Sequence, residues 1–423
     1  MKSKVFFSVV CIVLCAALAH AELCAAIAVR NVTPDPLLPV SGGVGASEPT
    51  TQKIGELSVR ALVFEEDGVR VAICSTDFLG FPGVLCNRVR ARVPGIPPEN
   101  VLIGATHAHS APDMYAFTDE SGRTGADLDY IESVCAKLAD AVNEAVNALQ
   151  PARVKIATGK AQGKIAYNAY ADELYDRRCG VIQVLDAQGK PFATLVNYAC
   201  HPEVIGPDQG ILSPDFVGAL YDRIRDNGGG TGIFMNSAQG GMVTADCRGP
   251  DGRDIQTWDE CVRIGNLLAD ESLRIVAEAP VQDAPRVFCA ATTIPLPLTS
   301  KLLRGIVLAS PLGFKLDEQG NAPAQVNVVN IGNAQILTIP GEALPNIGFY
   351  LKRKMYGEHN FLFGLTNDAF GYMLTKVDWM SFEQYNYITR TCLGEMAGET
   401  FIEEALKVVD RCPRPEPSQK EAK

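Results

Sequence analysis

Beyond residue 21 this 423-residue chain carries four histidines, at positions 107, 109, 201 and 359. His107 and His109 stand in ATHAHSAPD directly after the apolar run VLIGA, and His201 stands in NYACHPEVIG directly after FATLVNYAC. Each follows the carboxyl end of a predicted strand, where open α/β sheets place their ligands. Glu342, in TIPGEALP, follows AQILTI, and Tyr372, in FGLTNDAFGYML, lies just past FLFGLT. Four separate strand ends thus each deliver a group competent to bind a metal. Two imidazoles and a carboxylate are ligands that zinc accepts, and a catalytic zinc site needs three such ligands with room for water. On an extended segment His107 and His109 project to the same side, so that one can bind metal while the other faces a substrate. A lone HxH is more often one buried and one solvated imidazole, and His201 before Pro202 can simply end a strand; the agreement between strand ends is what favours the metal. His359, in the polar stretch KMYGEHNF, reads as a surface residue.

A second constellation, NSAQGGMVTAD over 236–246, follows the strand run GIFM. Gly240 and Gly241 let the backbone bend sharply, and their amides, with Asn236 beside them, are candidate substrate contacts facing a developing oxyanion. Ser237 or Thr244 is the candidate nucleophile; the plainer alternative is an ordinary glycine-rich turn. The chain has no GxSxG elbow, no GxxxxGK[ST] loop and no GxGxxG fingerprint, which argues against an α/β-hydrolase, a nucleotide hydrolase and a dinucleotide oxidoreductase.

The elements that must position these groups follow from periodicity. Short apolar runs over 57–64, 69–75, 101–105, 180–185, 192–199, 232–235 and 335–339 predict strands buried on both faces. Asp67-Gly68 and Gln188-Gly189 predict hairpin turns. Residues 125–149 place Ile131, Val134, Leu138, Val142 and Leu149 on one helical face, and residues 255–278 do the same with Cys261, Ile264, Leu268 and Ile275. Ser213-Pro214 reads as an N-cap and first helical position of a helix that ends near Asn227-Gly228. The expected fold is α/β, a mixed β-sheet core flanked by helices in a single large domain, with the metal site at the carboxyl ends of strands.

Composition supports a folded enzyme-sized domain, with 47% hydrophobic and 21% charged residues. Acidic residues outnumber basic ones, 49 to 38, for a net charge of −11, so the attraction that drives nucleic-acid binding is missing. Lys2 and Lys4 precede an apolar run to Leu18, and Ala19-His20-Ala21 offers a signal-peptidase site, so residues 1–21 are expected to be a signal peptide and the protein secreted or periplasmic. No later segment has the length of a transmembrane span. The domain boundaries expected are 22–412 for the folded part and 413–423 for a polar tail. Eleven of the thirteen cysteines lie beyond the leader, an odd number, which predicts at least one free thiol beside a few disulfides. The sequon at Asn31 is followed by Pro34 and carries little weight.

THAHSAP resembles the THTHSGP motif of the neutral/alkaline non-lysosomal ceramidase family, and the resemblance continues in order along the chain. AVRNVTPDPLLPVSGGVG is similar to that family's AxVDITP opening with its glycine-rich segment. NYACHPEVIG resembles its second histidine motif, GMVTAD its GDVSPN turn, IPGE its glutamate and GLTNDAFGYMLT its GLTNxYxxY(I/V)TT segment. The resemblance spans nearly all of 22–412 and concerns the catalytic part of those proteins. It implies a zinc hydrolase that cleaves the amide of ceramide or a related N-acyl lipid. His107, His201, Glu342 and Tyr372 would hold Zn²⁺, His109 would face the substrate, and Tyr385 in EQYNY would be a second active-site tyrosine. Two positions depart from the pattern. Thr244 stands where the family has serine, with Met242 replacing the preceding acid, and Ala169 stands where an arginine follows Asn168. Two other readings remain: metal-assisted acyl transfer through Thr244, and a zinc-stabilised protein that binds a lipid or glycan without turnover.

Overall fold

The structure, a computed structural model, describes residues 22–43, 47–118 and 121–417. The predicted signal peptide at 1–21 and the last six residues of the predicted tail lie outside the described residues.

Twelve strands carry the architecture. β1 (Cys24–Asn31), β2 (Ser58–Glu66), β3 (Val69–Thr76) and β4 (Val101–Ala105) form a first sheet in the spatial order β4-β3-β2-β1. A second sheet is built from β5 (Arg153–Lys160), β6 (Arg178–Leu185), β7 (Pro191–Tyr198) and β8 (Thr231–Asn236), ordered β8-β7-β6-β5. The third contains β9 (Val287–Leu296), β10 (Ala322–Ile331), β11 (Ala334–Thr338) and β12 (His359–Phe363), in sequence order. Within each sheet these strands pair antiparallel except for one pair: β3 with β4, β7 with β8, and β11 with β12 run parallel.

Strand pleating explains how one apolar run serves two cores. Leu62 and Phe64 of β2 point inward with Ile182, Leu195, Ile233, Ile336 and Phe361 from the other sheets, forming a cluster common to all three. Their neighbours Val59, Ala61 and Val63 point outward into a cluster with Leu85 of α1 (Gly83–Arg90) and with Val134 and Leu138 of α2 (Leu128–Asn147). In the second sheet Val196 and Phe234 pack outward on α3 (Phe216–Asp226) and α4 (Trp258–Ala277). Val326, Val328 and Leu337 of the third sheet pack on the helices Pro345–Lys354 and Ala397–Arg411. Each side chain so buried contributes roughly 1.5–3 kcal/mol.

Both long predicted helices form, and so do all seven predicted strands, with ends shifted by a few residues. Asp67 and Gly68 both take positive φ, 49° and 77°, the type I′ geometry that joins β2 to β3. The predicted cap of α3 is corrected. Asp215, not Ser213, is the N-cap and accepts from the Phe216 amide, while the Ser213 hydroxyl accepts from Asp215 N. Strands β1, β5, β9 and β10 were not expected, and β12 was marked only by the run FLFGLT. In β10 the buried Asn327 and Asn330 break the apolar run, and β9 is largely half-buried, so neither has the composition of an interior strand. The expected disulfides are also absent among the described residues, where all eleven cysteines are free thiols. Burial pushes the thiols of Cys86 and Cys135 up to about 12 and keeps them protonated and inert.

α3 and α4 cross at Gly265, where a Cβ would lie 2.3 Å from the Phe216 carbonyl oxygen. Gly265→Ala should therefore destabilise the protein by about 2 kcal/mol or more through backbone displacement, measured by urea unfolding. On an open helix face the same change would stabilise by up to about 1 kcal/mol, so the sign reports the close approach.

Candidate active site

The parallel pair of each sheet sends its carboxyl ends to one place. His107 follows β4 in the first sheet, His201 follows β7 in the second, and Glu342 follows β11 in the third, within the short strand Gly341–Ala343. Tyr372 reaches the same point because Gly341–Ala343 pairs parallel with Phe370–Met373, placing Tyr372 in register with Glu342. All four predicted metal-binding residues come together, and all four are buried.

Their hydrogen bonds define what is missing between them. The Nδ1–H of His107 donates to the Leu79 carbonyl at 2.6 Å, and that of His201 to the Val243 carbonyl at 2.8 Å. A carbonyl only accepts, so each Nδ1 carries the proton and each Nε2 presents a lone pair. Both Nε2 atoms face the same oxygen of Glu342, at 3.4 Å and 3.2 Å. Three acceptors in a buried pocket repel unless a proton or a metal cation lies among them. With a proton there, burial would depress the His201 imidazole, but Glu342 outweighs it and pushes the pKa up to about 9. Burial alone would raise the Glu342 carboxyl, yet His107 and His201 hold it well below the usual carboxylate range. The donor set suits a divalent ion, and His107, His109 and His201, whose ligand atoms lie within 4.8 Å of one another, could hold a metal. Backbone strain accompanies the site: His107 adopts φ 74°, rare for a residue with a side chain.

His109 is placed differently. Its ring lies 4.7 Å from that of His107, and its Nδ1 lies 3.7 Å from a Glu203 oxygen, while its buried Nε2 has no partner. Burial pushes its pKa down to about 3, with Glu203 opposing, so at neutral pH it is uncharged. Glu203 also takes a hydrogen bond from Thr244; burial would raise its pKa, but the facing His109 and His201 hold it low. The sequence reading overlooked Glu203, whose only signal was its position two residues after His201.

Three expected substrate contacts are assigned other work by the structure. Asn236 is fully buried, donating to the carbonyls of Thr106 (3.0 Å) and Cys200 (2.7 Å) and accepting from the amides of Cys200 and Ser237. Its carboxamide is spent on bracing the two histidine loops. The Gly240 amide donates to Ala343 O at 2.9 Å, and a Cβ there would sit 2.2 Å from the Glu342 carbonyl, so this glycine permits the turn to close on the ligand strand. Gly241 supplies a left-handed turn, φ 67°. The two departures from the ceramidase pattern lie side by side, since the Ala169 amide donates to Met242 O at 2.9 Å. His359 is partly buried and shares a hydrogen bond with Thr158.

A cleft of about 790 Å³ opens over His107, His109, Glu342 and Tyr372. Its walls are apolar: Leu79, Phe117, Leu303, Val307, Phe314 and Leu393. Tyr387 lines it, with its ring 5.9 Å from that of Tyr372, whereas Tyr385 packs on Tyr170 and Phe382 and does not line the cleft. The EQYNY spacing offers both tyrosines, and only the turn of the helix Asn386–Arg390 separates them.

Fold and site together define an α/β protein with a His/Glu centre beneath an apolar cleft. No family profile matches the chain. In sequence it is similar to neutral ceramidase B of Dictyostelium discoideum, 26% identical over 230 residues, which are 46% of this chain and 31% of that protein. It is likewise similar to neutral ceramidase A of the same organism, 26% identical over 185 residues, covering 38% and 26% of the two chains. The matched stretches are thus about a third or less of those relatives' length. Among solved structures, neutral ceramidase from Pseudomonas aeruginosa superposes with a TM-score of 0.75 at 16% identity, over 94% of this chain and 76% of the other. A ceramidase complexed with C2 gives 0.77, also at 16% identity, over 95% and 77%. The chain has the fold of these ceramidase structures and is similar in sequence to the neutral ceramidases.

Two outcomes follow from the geometry. Asn236→Ala should lower stability by about 3 kcal/mol in guanidinium unfolding, because it orphans several buried backbone groups; a residue that only touched substrate would leave stability within about 0.5 kcal/mol. The metal-free protein should lose stability as pH rises from about 7 through about 9. His201 is raised above its unfolded value, so its contribution is complete below the unfolded pKa and is lost on passing the folded one. Thermal melts across that range, with and without added zinc, test this, since the metal should flatten the slope.

Proposed function

We propose that this protein is a zinc-dependent amidohydrolase acting on ceramide or a related N-acyl lipid. The observation that carries the reading is the meeting of His107 Nε2, His201 Nε2 and the Glu342 carboxylate, one from each sheet, at the floor of an apolar cleft. His107, His201, Glu342 and Tyr372 would hold the metal. Bound there, zinc supplies a Lewis acid for the amide carbonyl and lowers the pKa of coordinated water. The similarity to neutral ceramidases supports this substrate class.

The protein's own groups divide the remaining work. The apolar walls accept an acyl or sphingoid chain and exclude water from the reacting amide. His109 is uncharged at neutral pH, and with its Nδ1–H toward Glu203 its Nε2 is an acceptor, suited to receive the proton of the attacking water. Glu203 then faces the imidazolium that forms. Burial raises the Tyr387 pKa, so the phenol keeps its proton and can donate to the carbonyl oxygen or the leaving nitrogen. Water's oxygen joins the carbonyl carbon, the C–N bond breaks, and the nitrogen leaves as a protonated amine. Export through the 1–21 leader, and a hydrolase domain over 22–412, belong to the same proposal.

Acyl transfer through Thr244 draws support from one contact, the hydrogen bond of its hydroxyl to Glu203. Thr244 does not line the cleft, which favours water as the nucleophile. Thr244→Val should keep most activity and show no acyl adduct by mass spectrometry; an adduct on the wild-type Thr244 would reverse the assignment.

Chelation should abolish hydrolysis of an N-acyl sphingoid substrate, and zinc should restore it. Tyr387→Phe should cost roughly 100-fold in kcat, while Tyr385→Phe should cost less than about threefold. Glu342→Gln should weaken zinc binding by more than about 100-fold, with Tyr372→Phe retaining zinc and losing turnover. Plasma emission beside kinetics separates retention from catalysis. A zinc-loaded protein that leaves every N-acyl lipid intact would leave the binding-only reading in its place.

A further inference from the structure

Among the described residues the six most exposed large apolar side chains are Val377 (74%), Met380 (66%), Leu302 and Phe382 (57% each), Leu308 (52%) and Tyr387 (51%). All come from two segments, α5 (Lys301–Ala309) and residues 377–387. The start of α5 is tied to the chain just past the second segment, where the amides of Thr299 and Ser300 both donate to Leu393 O at 3.0 Å. Leu302 of α5 lines one surface groove together with Trp379 and Met380, which makes the two segments neighbours. Scattered apolar side chains are normal on a protein surface, but a contiguous patch of this kind marks a contact surface.

The patch adjoins the active-site cleft. α5 turns Leu303 and Val307 into the cleft wall while Leu302 and Leu308 remain outside, and Tyr387 is both cleft wall and surface. We propose that α5 and the 377–387 segment dock on the uncharged apolar surface of a lipid aggregate, seating the cleft mouth against the lipid. Continuity with the cleft selects this occupant. A protein partner or a second copy covering the patch would close the entrance, whereas a lipid surface would supply chains to it. Charge selects the kind of lipid. Lys301, Arg304, Lys376 and Arg390 stand in or beside the two segments with Asp378, Glu383 and Glu395, leaving a single net positive charge, and the chain as a whole carries −11. Nothing there forms the basic cluster that anionic headgroups require. Attachment therefore depends on apolar burial, as for an interfacial helix, and not on phosphatidylserine. This inference rests on the lipid-amide reading for its choice of occupant, but its test does not require turnover.

The experiment is co-sedimentation of the full chain with phosphatidylcholine vesicles, with and without phosphatidylserine, for wild type and for Leu302→Ser/Met380→Ser/Phe382→Ser. These side chains are exposed, and a thermal melt confirms that the triple variant folds. Wild type should bind phosphatidylcholine, phosphatidylserine should not strengthen it, and the triple variant should partition at least about tenfold less, since three large side chains no longer leave water. Hydrolysis of a short-chain, water-dispersed N-acyl substrate should be unchanged in the variant, while hydrolysis of the vesicle-embedded substrate should fall with binding. Absence of vesicle binding, equal binding by the variant, or strong enhancement by phosphatidylserine would each overturn the proposal. So would a concentration-dependent wild-type dimer, seen by sedimentation, that the triple variant abolishes. Binding without turnover would defeat the hydrolase reading alone, and turnover without binding would defeat the docking surface alone.

Discussion

Two imidazole lone pairs aimed at one carboxylate oxygen, at 3.2 and 3.4 Å, are unstable in a buried pocket unless a cation lies among them. Much of the surrounding architecture is arranged to enforce that unfavourable meeting. Carbonyls of Leu79 and Val243 fix the tautomers from behind, so neither ring can relieve the repulsion by moving its proton. His107 is held at a positive φ, a strain tolerated because its amide and ring are both tied to the loop after β3. A pocket built this way could take a divalent ion without rearranging its side chains, and the strain is spread over a rigid core.

That core explains why the meeting point is stable. Three sheets share one apolar cluster, and the seams between them are closed by buried carboxamides. Asn197 donates to carbonyls of Met235, Asn236 and Leu362, linking the second sheet to the third. Asn236 links the loop after β4 to the loop after β7. Fully satisfied amides of this kind fix register as well as adding stability, because any sliding of one sheet leaves several buried groups unpaired. Gly240 completes the arrangement by allowing the glycine turn to touch the backbone of Glu342.

Around the centre, chemistry and specificity occupy different elements. His107, His201, Glu342 and Tyr372 come from strands of the rigid core or their ends, while much of the cleft wall comes from α5 and from the connecting segments that carry Leu79, Phe117, Phe314 and Leu393. Such a division lets the apolar walls vary while the centre is kept. Ala169 and Met242, where the ceramidase pattern has an arginine and an acid, are joined by a backbone hydrogen bond beside Tyr372, so the divergence falls next to the centre and leaves His107, His201, Glu342 and Tyr372 unchanged.

Local sequence carried a large part of this. Apolar runs of five to eight residues with β-branched side chains specify strands buried on both faces, and strand-end histidines in an α/β pattern point to a site, because side-chain type and chain direction are local properties. His107, His201, Glu342 and Tyr372 were legible for that reason. Tertiary structure alone decided which turn residues face the cleft. Asn236 and Gly240 have types suited to substrate contact, yet Asn236 is bonded to Thr106 and Cys200, 130 and 36 residues away, and Gly240 to the distant Ala343. Tyr385 and Tyr387 are equivalent on paper, and the turn of a short helix separates them by aiming one at Tyr170 and the other into the cleft. Glu203 acquires its place only from His109 and Thr244, which no spacing rule joins to it. Residue type and period act over a few residues, whereas hydrogen-bond partnership in a buried pocket is settled by packing across the whole chain, and that is where the sequence by itself stops.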